Sequence, residues 1–216
     1  MENLETVIFD FDGVIADTEK ISYQCYKNII NQYGNDLSLS EYVQIFAGRT
    51  EVENAKKLSS MYAIENAETV RNMYHKEEQK IMQEGVALKS GVKEILDYLS
   101  SCNIKICLAT SSTLSRALNI LKSHNIENYF DAFVTKEDVI AGKPNPEVFL
   151  KALEKTNTNA KNALVLEDSE FGIEAANAAS IPVICVVDLK IPDTRHEAMT
   201  YKVCQNMLDV LKLIKN

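Results

Sequence analysis

Asp10 and Asp12 stand two residues apart behind the apolar run TVIF, and Glu167 and Asp168 follow a second run, ALVL. On an extended backbone, residues i and i+2 point the same way at about 6.5–7 Å, so Asp10 and Asp12 are expected to address one ligand. Gathering Asp10, Asp12, Glu167 and Asp168 in one site is electrostatically prohibitive without a divalent cation, and an all-oxygen donor set suits Mg²⁺. Such a cation attracts phosphate, and partners for phosphate are at hand. Thr110 follows IKICLA and offers a hydroxyl, Ser111 and Ser112 offer backbone N–H groups at an expected helix start, and Lys143 in GKPNPEVF offers a charge restrained by Pro144 and Pro146. Singly, each piece has a plain structural explanation: a solvated turn for DFD, a helix cap for Thr110 or Asp168. Their conjunction at the ends of apolar runs carries the information.

Those ends belong to a regular pattern. Thr6–Phe11 reads as a first strand. From Asp17 to Glu84 no strand signal occurs, while Ile21, Cys25, Ile29 and Tyr33 recur at helical spacing. Val70, Tyr74, Glu77 and Ile81 give a second stripe, with Asn66 as its cap, and Thr50 is expected to cap a helix between the two. After Gly85 strands and helices alternate: helix 92–101, strand 104–109, helix 115–124, strand 132–135, helix 146–156, strand 163–167, helix 171–179, strand 182–187. A short strand at 201–204 and a helix at 207–214 follow. Continuous apolar strands between helices predict an α/β fold, a doubly wound parallel sheet of Rossmann-like type covered on both faces. Its expected composition is a core of residues 1–16 and 86–216 with a small all-α cap, 17–85, inserted after the first strand. In open parallel sheets ligands bind beyond the carboxyl ends of the strands, near the reversal of winding, and the candidate residues fall there.

Composition excludes competing chemistries. Seven glycines leave no GxGxxG, GxxxxGK[ST] or GxSxG, and three isolated histidines argue against a multi-His metal site. With 31 acidic against 23 basic residues the net charge is −8, which repels nucleic acid and anionic membrane. Five cysteines without a CxxC read as reduced, mostly buried thiols. No apolar run approaches the ~18 residues of a membrane span, and MENLETVIFD lacks the features of a signal peptide. A cytoplasmic monomer with no nucleic-acid or membrane partner is expected.

Four segments, VIFDFDGVIADTE, LATSS, GKPNPEVF and VLEDSEFGIEAA, resemble in order the motifs of the haloacid dehalogenase superfamily. The resemblance spans nearly the whole chain and is to the branch with a helical cap, near β-phosphoglucomutases and sugar-phosphate phosphatases. It implies that Asp10 is a nucleophile forming an aspartyl-phosphate, that Asp12 is general acid and then base, and that Asp168, Asp10 and the Asp12 carbonyl hold Mg²⁺. Glu167 would serve the cation directly or through its ligands, while Thr110, Ser111 and Lys143 bind phosphate. AGRTE resembles the cap loop facing the active site, which makes Arg49 and Thr50 substrate-contact candidates, with Lys76 or His75 reaching in from the last cap helix. Ala16–Thr18 and Gly85 fall near the hinges. The implied activity is Mg²⁺-dependent hydrolysis of a small phosphorylated metabolite, a sugar phosphate above all. Phosphosugar mutation is the alternative. Ser22 falls near a His typical of β-phosphoglucomutases, and Thr113 and Leu114 fall where those enzymes carry a polar pair; both departures favour hydrolysis. A phosphoacceptor receiver would also combine clustered Asp, a hydroxyl and a Lys, but places its acceptor on a later strand and has no helical insert.

Overall fold

In the computed structural model, which describes residues 3–215, the apolar runs form six parallel strands. These are β1 Thr6–Phe9, β2 Lys105–Ala109, β3 Ala132–Val134, β4 Ala163–Glu167, β5 Val183–Val186 and β6 Lys202–Cys204. They lie in the order β3-β2-β1-β4-β5-β6. Every residue of β1, β4 and β5 is buried, the reason these strands read as unbroken apolar runs: both faces are covered. The chain leaves β1 toward β2 and β3, then returns to place β4 on the other side of β1. The winding therefore reverses between β1 and β4, and the register Phe9 to Leu166 sets Asp10 level with the end of β4.

The chain divides into two units, Met1–Asp17 with Ala87–Asn216, and Thr18–Val86. The second is helical: α1 Glu19–Gln32, α2 Leu39–Ile45, α3 Glu51–Met61 and α4 Ala67–Gln83. Ile21, Cys25 and Ile29 of α1 are buried, whereas Tyr33 caps its end and is exposed. Tyr26, Tyr42, Phe46 and Tyr74 make the aromatic centre of this unit, with ring centroids 5.0 to 6.2 Å apart. Asn66 caps α4 through its side chain. Helix α2 is additional to the expected elements, and Ser38 and Glu41 form a reciprocal capping box at its start.

In the larger unit α5 (Val92–Ser101), α6 (Leu114–Ser123), α7 (Glu147–Thr156), α8 (Glu170–Ala178), α9 (Thr194–Ala198) and α10 (Met207–Lys215) complete the layers. Ile8, Cys107 and Val165 pack with Val148, Phe149 and Ala152 of α7 and Ile173, Ala175 and Ala176 of α8. Helices α5 and α10 pack on each other, α5 also on β2 and α10 on β5. Four of the five cysteines are buried and all are free, but Cys102 is exposed. Among the described residues no helix is long and apolar enough to cross a membrane.

The strand expected over Thr6–Phe11 stops at Phe9. Asp10 still donates its N–H to Leu166 O at 2.9 Å, but Ile15 and Ala16 then donate back to Phe11 O and Gly13 takes φ +78°. The chain turns at the acids, so Asp12 does not continue the extended direction of Asp10.

Short α9 depends on a buried histidine. His196 Nδ1 lies 2.7 Å from Asp193 Oδ1 and Nε2 lies 3.2 Å from Glu174 Oε1, while Arg195 also reaches Glu174. Burial pulls the imidazole toward neutrality, but hydrogen bonds to Asp193 and Glu174 and the charges of Asp193 and Glu170 outweigh it, raising the pKa above 6.5. A raised folded-state pKa stabilises fully below the unfolded value and is lost as pH rises through the folded one. Thermal melts from pH 5.5 to 8.5 should therefore show the wild type losing its advantage over His196→Asn as pH rises. A gap that widens with pH would contradict this.

Candidate active site

The centre of the site is the Lys143 ammonium. Nζ donates to Asp10 Oδ1 at 2.5 Å, to Glu167 Oε1 at 2.6 Å and to the Ala109 carbonyl at 3.3 Å, and lies 5.1 Å from the centroid of the Phe149 ring. The side chains of Lys143, Asp10 and Glu167 are 7%, 9% and 1% exposed. Burial works against the charge on Lys143, yet Asp10 and Glu167 overcome it and raise its pKa. Burial pushes the Asp10 carboxyl up most strongly, Lys143 pulls it down and Glu167 and Asp12 push it up, and together they raise it to about 7.

Glu167 is the last residue of β4, and its oxygens are heavily engaged. Oε1 takes the Lys143 ammonium, and Oε2 takes the backbone N–H groups of Asp168 at 2.8 Å and Ser169 at 2.7 Å and the Ser169 hydroxyl at 2.9 Å. It therefore anchors Lys143 and the loop carrying Asp168. A Cβ on Gly172 would fall 1.8 Å from Oε1, so the first turn of α8 can close over Glu167 only with glycine there. Asp168 is part-exposed and, with Asp10 and Glu167, offers carboxylate oxygens within 4.8 Å of one another. A Cβ on Gly13, at φ +78°, would come 2.3 Å from Asp168 Oδ2 and 3.0 Å from Asp188 Oδ2.

Thr110 is 1% exposed, and its hydroxyl oxygen accepts the Ser112 N–H at 3.0 Å. That N–H, expected as a phosphate donor, is thus directed inward, because α6 begins at Leu114 with Thr113 as its cap. Ser111 is exposed. The Asp12 carboxylate takes the Ser112 hydroxyl on Oδ2 at 2.6 Å and Arg116 Nη1 on Oδ1 at 2.6 Å. It stands outside the group formed by Asp10, Glu167 and Asp168, so among its atoms only the backbone carbonyl remains a candidate toward a cation there.

Two side chains not among the sequence candidates adjoin these residues. Arg116 lies inside a helix with no motif around it. Asp188 follows the apolar run of β5, where the strand-end rule that found the other acids applies equally; it accepts Lys89 Nζ at 2.5 Å, and Lys89 also lies 3.7 Å from Asp17.

The cap candidates lie in the helical unit. Arg49 and Lys76 are exposed. The Thr50 hydroxyl takes part in a capping box, donating to Glu53 Oε2 at 2.8 Å and accepting the Glu53 N–H at 3.3 Å, so it caps a helix as the sequence indicates. His75 lies 3.3 Å from Glu51, which also pairs with Arg71 at 2.7 Å. Ser22 hydrogen-bonds the Tyr74 hydroxyl at 2.9 Å.

The fold is a doubly wound parallel sheet with acids and an ammonium gathered where its winding reverses. The model of the family described as haloacid dehalogenase-like hydrolase matches residues 7–186. The phosphorylated carbohydrates phosphatase of Thermotoga maritima is 35% identical over 179 residues, 82% of either chain. The β-phosphoglucomutase of Bacillus subtilis is 31% identical over 193 residues, 82% of this chain and 81% of its own. The crystal structure of a haloacid dehalogenase-like protein from Agrobacterium tumefaciens has a TM-score of 0.85 at 25% identity over 98% of each chain. The chain belongs to the haloacid dehalogenase-like hydrolase family.

Gly172→Ala should force Glu167 out of its cradle. Overpacking of this kind costs about 1–3 kcal/mol, to be read from urea unfolding; unchanged stability would show that Glu167 yields freely.

Proposed function

We propose that the protein is a Mg²⁺-dependent phosphatase acting on a small phosphorylated metabolite, a sugar phosphate above all. The observation that carries this reading is the buried Lys143 ammonium between Asp10 and Glu167, with Asp168 beside them. Two carboxylates against one ammonium leave a net negative site, and Asp168 adds to it. All donors are oxygen, which fits Mg²⁺ rather than a thiophilic or imidazole-seeking ion. Asp10, Asp168 and the Asp12 backbone carbonyl would hold the cation. When bound, it offsets the repulsion between anionic nucleophile and anionic phosphate.

Asp10 Oδ attacks phosphorus and the bond to the sugar oxygen breaks, giving an aspartyl-phosphate. Lys143 holds the nucleophile in place and shields its charge, while the Thr110 hydroxyl and the Ser111 N–H donate to phosphoryl oxygens. Asp12 gives its proton to the departing oxygen, then accepts one from the water that attacks phosphorus and regenerates Asp10. Splitting a very slow hydrolysis into two steps lowers each barrier.

Likeness to phosphatase and mutase relatives at similar identity keeps phosphosugar mutation as a second reading. Incubation with β-glucose 1-phosphate and a bisphosphate primer separates the two: glucose 6-phosphate forming faster than free phosphate would favour mutation.

Phosphate release from a sugar-phosphate panel should require Mg²⁺, stop on chelation and resume when Mg²⁺ is restored. Asp10→Asn should abolish turnover while keeping the fold, and Asp12→Asn should cost about 10²–10⁴-fold on sugar phosphates. Undiminished turnover by Asp10→Asn would overturn the mechanism.

A further inference from the structure

We propose that Arg116 is a positioning residue for the acid–base carboxylate: with Ser112 it fixes Asp12 in the orientation needed to activate water in the hydrolytic half of the reaction. The inference rests on the phosphatase reading above and adds a residue to it.

Arg116 Nη1 donates to Asp12 Oδ1 at 2.6 Å and to Ser112 Oγ at 2.8 Å, and Ser112 Oγ donates to Asp12 Oδ2 at 2.6 Å. Both oxygens of one carboxylate are thus held, from two directions, by residues of one short segment. The Asp12 side chain is 37% exposed, so it can still meet water. Ser112 lies just before the Thr113 cap of α6, and Arg116 lies in its first turn. Side chains in the first turn of a helix lean back toward its start, the direction in which the guanidinium of Arg116 reaches Asp12.

The placement runs against local preference. The start of a helix favours acidic side chains and disfavours cations, yet the first turn of α6 carries no acid and has Arg116 as its third residue. The Arg116 side chain is 23% exposed, so its arm is folded onto the protein rather than extended into solvent. A cation in a helix's first turn, bound to the carboxylate proposed as acid and base, is the sort of local conflict that sites of chemistry retain. Arginine does not give up its proton in proteins, so Arg116 can orient Asp12 without competing for the transferred proton. In the hydrolytic step that proton passes from water to Asp12 as the water oxygen bonds phosphorus and the bond from phosphorus to Asp10 breaks.

p-Nitrophenyl phosphate isolates this step, because p-nitrophenolate leaves without needing a proton and water attack still needs a base. With Mg²⁺ present, Arg116→Ala should release p-nitrophenolate in a rapid burst approaching one per enzyme, followed by steady turnover slowed about 10- to 100-fold, the cost of a misplaced catalytic group. Ser112→Ala should show the same pattern more weakly and provides the test if Arg116→Ala does not fold. Arg116→Lys should recover part of the steady rate, since a single nitrogen makes both contacts. Burst and steady phases slowed in proportion, or neither slowed, would overturn the role of Arg116. Asp10→Asn run alongside separates the two failures: turnover surviving in that variant would overturn the phosphatase mechanism itself.

Discussion

A buried ammonium held between two carboxylates is the constraint on which the site depends. Lys143 lies 2.5 Å from Asp10 and 2.6 Å from Glu167, with all three side chains less than a tenth exposed. Neither acid could be buried ionised at such a place alone. Breaking a buried ion pair by removing one partner costs about 3–5 kcal/mol, and here the removal of Lys143 would leave two carboxylates facing each other. The same shortage of positive charge that burdens the fold makes the place attractive to a cation. Stability and chemistry are set by one imbalance.

The sheet holds that imbalance steady. Asp10 stays in line with β4 through the Leu166 carbonyl, Lys143 is supported by the Ala109 carbonyl at the end of β2, and Glu167 closes β4 itself. Three neighbouring strands thus aim three groups at one point. Glycine supplies the remaining space: Gly172 leaves room for the Glu167 carboxylate and Gly13 for that of Asp168. Each gap is the size of a single Cβ, so the arrangement is fixed by packing as much as by charge.

Much of this was readable in the sequence, because buried parallel strands appear as apolar runs and the residues after them fall at one edge. That rule reached Asp10, Thr110, Glu167 and Asp168. It could not divide labour between adjacent acids. Glu167 and Asp168 are neighbours in sequence, but successive residues leave a strand on opposite sides, so Glu167 bonds Lys143 while Asp168 stays part-exposed. The i, i+2 spacing of Asp10 and Asp12 does not reveal the turn at Gly13, after which the Asp12 carboxylate takes Ser112 and Arg116 as partners. Arg116 left no trace in the sequence because its partner is over a hundred residues away. Thr50 was legible as a cap, and the hydroxyl's bonds to Glu53 make it one.

The central claim is that Asp10 carries the phosphoryl group between substrate and water. Borohydride added during turnover of a sugar phosphate reduces an acyl phosphate to an alcohol, converting the aspartate that bears it to homoserine. Peptide mass spectrometry should then find homoserine at position 10 and at no other aspartate, and only when Mg²⁺ and substrate are both present. Reduction at another carboxylate, or none while phosphate is being released, would contradict the account.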